Sequence, residues 1–219
     1  MRNVPTFIAS GFFLGYKGNV YLLTAAHATH DLDGGAFVSL NGIRPLTSAA
    51  IRSTSASQDH FDIAYWKVDE LFVKSIGATV IQSGHILRAR FEQPIYAISG
   101  YPASKNKLSK AVRVGAKEIR ATCFTFSAPP ARIDFSDFGK SEQLHIGLRY
   151  GAGRNHEKEL QTPPKPAGMS GGPLWVARDA YSAERWFLGG LFVEYHCKRG
   201  RVAFCTKIKP ILDFIDETK

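Results

Sequence analysis

Pro163–Trp175, PPKPAGMSGGPLW, sets one serine among glycines behind a proline-broken segment. Proline lacks a backbone N–H and fixes φ, so neither a regular helix nor a central strand accommodates Pro163, Pro164 and Pro166 together. Ser170 therefore lies in a loop. It is either an ordinary connection or a nucleophile surrounded by backbone amides. A serine hydroxyl is a weak nucleophile until a base takes its proton, and the base needs a third group to orient it. The partners to look for are one histidine and one acid.

His27 stands out among the 7 histidines. It closes the apolar run YLLTAAHATH (21–30), where a rigid strand leaves the core and can hold an imidazole at a cleft. Asp62 leads the apolar strand of DHFDIAYWKV (59–68). Taken singly, these are also the features of a strand-end surface histidine and of an Asx turn. Taken together they are more specific. S-G-F from Ser10, L-L-T-A-A-H ending at His27, D-I-A-Y-W-K-V from Asp62 and G-M-S-G-G-P-L from Gly168 resemble the trypsin/chymotrypsin-like serine peptidases, in the order His, Asp, Ser. The tail WFLGGLFVEYHC…GRVAFCTKIKPILDFI is similar to the family's final hairpin and C-terminal helix. The resemblance runs from Ser10 to about Ile215, close at the motifs and loose between them.

The resemblance implies an all-β, chymotrypsin-like fold of two packed six-stranded antiparallel β-barrels with a C-terminal α-helix. Residues 1–219 would form one peptidase domain. Residues 1–92 would hold the histidine and aspartate, 93–208 the serine, and 209–219 the helix. It further implies a serine endopeptidase working through an acyl-enzyme intermediate, with Ser170 as nucleophile, His27 as base and Asp62 orienting the imidazole. The N–H groups of Gly168 and Ser170 would form the oxyanion hole, and the substrate would be a protein or peptide. Pro164, Val193, Glu194, Tyr195 and Ala203 fall where the family builds its substrate pocket. Tyr195 replaces a glycine common in wide pockets, so a narrow, largely apolar pocket is expected; Glu194 could instead favour a basic group nearby.

The chain departs from the secreted members at Met169. Those enzymes carry an aspartate there, which pairs with a new N-terminal amine after cleavage. Without that acid, and without an Ile-Val-Gly-Gly start, zymogen-type activation is not expected, as in intracellular or bacterial members. The polar Gly/Pro segment 151–166 is then expected to be ordered by substrate or by an activating partner protein.

Composition agrees with a globular chain: 44% hydrophobic and 21% charged residues. Many short apolar runs separated by turn residues read as strands, about a dozen in all, including FIASGFFLGY, AFVSLNG, PIYAISGY, ARIDF, QLHIGLRY and RVAFCTKI. Helical signals appear at Ala25–Asp31 and in the terminal KPILDFIDETK. Three cysteines imply no disulfide framework. With a two-residue turn at Arg199-Gly200, Cys197 would face Val202 and Cys205 would face Glu194, so the thiols would stay apart and reduced. Reduced thiols, and an N-terminal apolar run broken by Ser10 and Gly11, lead to a cytoplasmic expectation rather than a signal peptide or membrane span. No metal or other cofactor is expected.

Two other function classes compete. One is a catalytically inactive peptide-binding module on the same fold, against which the intact His27, Asp62, Ser170 and Gly168 argue. The other is a nucleic-acid-binding protein, motivated by a net charge of +9. The basic residues are scattered apart from Lys105–Arg120, and stacking aromatics are not interleaved with them, so a nucleic-acid partner is not expected. A G-x-S-x-G elbow of the α/β-hydrolase kind is excluded. It needs a strand before the serine, a helix after it, and an acid and histidine further on.

Overall fold

In the computed structural model, residues 9–29, 36–39, 42–45, 52–54, 61–106, 121–151, 153–154, 160–178 and 185–218 are described. The first hairpin follows from its turn. Lys17 and Gly18 both take positive φ (46° and 74°), as a tight two-residue turn between twisted strands requires. It joins β1 (Phe12–Tyr16) to β2 (Asn19–Ala25), with Tyr16 opposite Asn19. The chain continues through β3 (Ala36–Ser39), β4 (Gly42–Pro45), β5 (Arg52–Ser53), β6 (Ile63–Val68), α1 (Glu70–Ser75) and β7 (Val80–Ile81). The strands order as β5-β6-β2-β1-β7 in one five-stranded sheet, with β7 parallel to β1, and β3-β4 form a separate hairpin.

The second half supplies β8 (Ile95–Gly100), β9 (Phe124–Ala128), β10 (His145–Arg149), β11 (Gly153–Arg154), β12 (Leu160–Gln161), β13 (Pro173–Ala177), β14 (Phe187–His196) and β15 (Val202–Lys207), then α2 (Ile208–Glu217). Six of these strands form one antiparallel sheet, β10-β15-β14-β13-β8-β9, and β11-β12 pair by themselves. The result is the chymotrypsin-like architecture: two curled sheets and a C-terminal helix. Their inner faces meet in a shared core, where Leu14, Leu23 and Ile63 of the first sheet join Leu188, Leu191 and Phe204 of the second. Ile211 and Ile215 of α2 complete it. Asp216 at the end of α2 accepts from Tyr16 Oη (2.9 Å) and pairs with Lys17 (2.8 Å), so the helix also clasps the first hairpin. Among the described residues, no helix is long and apolar enough to cross a membrane.

Three local expectations need correction. The run ARIDF is not a strand. Asp134 Oδ1 accepts from the backbone N–H and the hydroxyl of Ser136 (2.9 and 2.8 Å), an Asx turn that bends the chain into a 3-10 turn at Ser136–Phe138. Conversely, Pro173–Ala177 is a strand, central between β14 and β8, although no strand was expected there. Its proline occupies the first strand position, the one place a central strand accepts it. Last, the β14–β15 turn is longer than two residues. His196 pairs with Val202, and a bulge between Phe192 and Glu194 puts Cys205 opposite Phe192. Cys205 is buried and Cys197 exposed, and both are free thiols. The expected strand and basic cluster within 107–120 lie outside the described residues, as does most of 151–159.

Candidate active site

The β2–β6 register builds half of the site. Ala25 pairs with Ile63, so the residues just beyond, His27 and Asp62, must meet where both strands leave the sheet. Ala26 N–H donates to Asp62 O (3.1 Å), extending the ladder by one bond. The chain turns into a short 3-10 helix at Ala26–Thr29 and presents the imidazole sideways. Asp62 accepts twice from the same residue: Oδ2 lies 2.6 Å from His27 Nδ1, and Oδ1 takes the His27 backbone N–H at 2.8 Å. The aspartate side chain is 10% exposed and the imidazole 48%. A buried carboxylate so placed fixes the ring plane and favours the proton on Nδ1. Asp62 holds φ of 49°, a left-handed conformation that aspartate and asparagine tolerate better than most residues.

The serine half is a loop in which almost every backbone group has a partner. Gly168 takes φ of +88°, and a Cβ there would lie 2.9 Å from Tyr101 O. Across the four peptide units from 167 to 171, every carbonyl is accepted for. Ala167 O receives Ala103 N–H (2.8 Å), Gly168 O the Ser10 hydroxyl (2.8 Å), Met169 O Gly172 N–H (2.9 Å) and Ser170 O Ser10 N–H (2.7 Å). Their N–H groups alternate. Met169 donates to Pro166 O (2.8 Å) and Gly171 to Phe192 O (2.7 Å). Among the described residues, Gly168 and Ser170 N–H have no acceptor. The peptides of this loop are trans, so each free N–H points opposite to a pinned carbonyl. Such fixed, vacant donors are what stabilising a developing oxyanion requires.

His27, Asp62 and Ser170 line one cavity of about 980 Å³. Pro164, Val193, Glu194 and Tyr195 line it as well. Ala203 does not: it lies opposite Tyr195 in the β14–β15 register, but it is fully buried. Gly168 is buried and does not line the cavity, although its neighbour Ala167 does. The Glu194 carboxylate is already engaged, 2.8 Å from Lys140 Nζ and 2.8 Å from His196 Nε2. Burial alone would raise its pKa, but the hydrogen bond and charge of Lys140, with His196, outweigh burial and hold it below the usual carboxylate range. Tyr150 is a wall that the sequence did not reveal. Its ring lies 5.2 Å from that of Tyr195, and its hydroxyl donates to Pro164 O at 2.8 Å. Burial pushes the Tyr150 phenol up, which keeps this donor protonated. Met169, at 0% exposure, sits in the apolar cluster of Ile98, Phe126, Leu174 and Phe192. Neither Tyr150 nor Lys140 lies in a recognisable motif.

No protein-family model matches the sequence, and no curated protein matches it. Solved structures do match over nearly the whole chain. The serine protease domain of the Sesbania mosaic virus polyprotein aligns with a TM-score of 0.56 at 14% identity, over 98% of this chain and 89% of that one. A scabies mite inactivated protease paralogue aligns at 0.56 and 16% identity, over 96% and 87%. Human heparin binding protein aligns at 0.54 and 11% identity, over 95% and 84%. At these identities the likeness shows the fold: that of trypsin/chymotrypsin-like serine proteases.

Proposed function

We propose that this chain is a serine endopeptidase that cuts protein or peptide substrates with His27, Asp62 and Ser170. The observation that carries this reading is the two-point hold of Asp62 on His27, at 2.6 and 2.8 Å, in a cavity that Ser170 also lines. In the reaction, His27 Nε2 takes the Ser170 hydroxyl proton as Oγ attacks the scissile carbonyl. The developing oxyanion is bound by the vacant N–H groups of Gly168 and Ser170. His27, now an imidazolium beside the Asp62 carboxylate, gives its proton to the leaving amine. The acyl group stays on Ser170 until a water, activated by the same histidine, releases it.

The substrate lies along β14. The pairing of β14 with β13 ends at Leu191–Pro173, so Val193–Tyr195 offer a backbone edge to an extended peptide on the cavity side. Phe192, Val193, Tyr150 and the prolines 163, 164 and 166 make the surrounding walls mostly apolar, which favours an apolar side chain beside the cut. Glu194 does not anchor a basic one, because Lys140 and His196 already hold it. A cleavage profile on a peptide library tests this preference, and a strong requirement for Arg or Lys would refute it.

The defining experiment is labelling by a fluorophosphonate probe. Wild-type protein forms a covalent adduct on Ser170 and Ser170→Ala forms none, with turnover lower by about 10⁶, the scale seen on losing this nucleophile in another serine protease. A wild-type chain that neither labels nor cleaves would overturn the peptidase reading.

A further inference from the structure

We propose that Ser10 is a positioning residue that presets the oxyanion-binding amides, so that the site is competent without activating cleavage. This rests on the peptidase reading above. Ser10 opens the S-G-F motif and takes no direct part in the proposed reaction. It is 6% exposed, and every polar atom it has is engaged. Its N–H donates to Ser170 O (2.7 Å) and its hydroxyl to Gly168 O (2.8 Å). The same hydroxyl accepts Tyr101 N–H (2.8 Å), and its carbonyl accepts Thr24 Oγ1 (2.7 Å).

The consequence follows from peptide planarity. Rotating the 167–168 peptide would turn Gly168 N–H away from the oxyanion and bring a carbonyl in its place. Two bonds oppose this. Ala103 N–H holds Ala167 O at 2.8 Å, and the Ser10 hydroxyl holds the next carbonyl, Gly168 O. The second is made by Ser10 itself, whose hydroxyl also accepts the N–H of Tyr101, two residues before Ala103. The space is closed as well: a Cβ on Gly100 would sit 3.0 Å from Ser10 Oγ and 3.0 Å from Met169 Cβ. Met169 fills the position beside the nucleophile with an apolar, fully buried side chain. Where an ion pair to a new amine would order this loop, the chain uses a neutral hydroxyl brace and an apolar plug. The loop from Pro164 to Ser170 therefore needs neither cleavage nor a partner protein to take its working shape.

The test compares wild type with Ser10→Ala on a peptide substrate and on a peptidyl aldehyde of the same sequence. The aldehyde forms a tetrahedral adduct whose oxygen needs the two amides, whereas ground-state binding does not. Ser10→Ala is expected to lower kcat by about 10- to 100-fold, below the loss for deleting an oxyanion donor outright. Aldehyde affinity weakens by a similar factor, while KM stays within about twofold. Ser10→Thr, which keeps the hydroxyl, restores kcat. If Ser10→Ala does not fold, Ser10→Cys fills the same space with a weaker donor and acceptor, and the same split is expected. An unchanged kcat, or kcat and KM shifting without loss of aldehyde affinity, overturns the role of Ser10. Intact-mass measurement adds a second arm. The fluorophosphonate adduct forms on the uncleaved wild-type chain, and labelling only after trimming overturns activation-free competence. Failure of wild type in every assay would instead strike the peptidase reading.

Discussion

Asp62→Asn is the sharpest probe of the histidine half, because the structure dictates how the asparagine must sit. Asp62 Oδ1 accepts the His27 backbone N–H at 2.8 Å, and that donor cannot move without breaking the β2–β6 register. The amide oxygen must therefore take the Oδ1 place. The reverse orientation sets NH₂ against N–H and costs about 1–3 kcal/mol for the unsatisfied pair. With the oxygen so placed, NH₂ faces His27 Nδ1, where Oδ2 now lies at 2.6 Å. Nδ1 must then accept, so the ring proton moves to Nε2, the atom needed as base. The 1–3 kcal/mol bias alone leaves the working tautomer depleted by about 5- to 150-fold. Loss of the carboxylate charge beside the imidazolium adds to this, and the same change in a serine protease of this fold lowers kcat by about 10⁴. The variant should still fold, since asparagine adopts the 49° φ at this position as readily as aspartate. The assay is kcat/KM on a peptide substrate, with the melting temperature as control. A folded Asp62→Asn protein keeping more than about a tenth of wild-type activity would refute the assignment of Asp62.

Other outcomes follow from the loop and the cavity. Gly171→Ala puts a Cβ 2.2 Å from Ser10 O and 2.3 Å from Thr24 Oγ1 at φ of +88°. Strain and overlap together should cost about 2–5 kcal/mol, read as a lower midpoint in denaturant titration. Met169→Ala empties a fully buried site and should lose about 2–5 kcal/mol, whereas Met169→Leu should lose less than about 1.5. Both are measured by thermal unfolding, and equal effects would contradict the apolar-plug account. Glu194, held below its unfolded pKa, stabilises the fold above about pH 4.3, the ordinary glutamate value, and that contribution fades as pH falls through the lower folded value. Melting temperature followed as the pH is lowered from neutral should therefore fall more steeply in wild type than in Glu194→Gln.

The fold was legible in the sequence wherever side-chain alternation and turn chemistry agreed. FFLGY, the Lys17-Gly18 turn and NVYLLTA form the expected hairpin, and the terminal KPILDFIDETK, with Ile211, Leu212, Phe214 and Ile215, forms the expected helix within Ile208–Glu217. It failed where a local hydrogen bond overrode pattern. ARIDF alternates like a strand, but Asp134 captures Ser136 and turns it. Pro173–Ala177 reads as the tail of a loop, and only its neighbours β8 and β14 make it a central strand. The motifs singled out His27, which ends an apolar run, Asp62, which leads one, and Ser170, which stands in a Gly/Pro loop; the three line one cavity. Lys140 and Tyr150 carry no such mark. They reach the cavity through long-range packing against Glu194 and Tyr195, which no local pattern encodes.

The fold by itself does not decide activity, since the matching structures include, by their own descriptions, an inactivated protease paralogue and a heparin binding protein. Two features of this chain go beyond fold similarity. One is the alternation of used and vacant amides through Gly168–Gly171; the other is the two-point hold on His27. These are mechanically joined. Thr24, three residues before His27 on β2, fixes Ser10 through its carbonyl, and Ser10 fixes the nucleophile loop. On the proposed reading, the segment that would deliver the base also anchors the brace for the amides of Gly168 and Ser170. A shift of β2 relative to the second sheet would misplace base and oxyanion donors together, so the two halves of the site should be lost as one unit rather than decay separately.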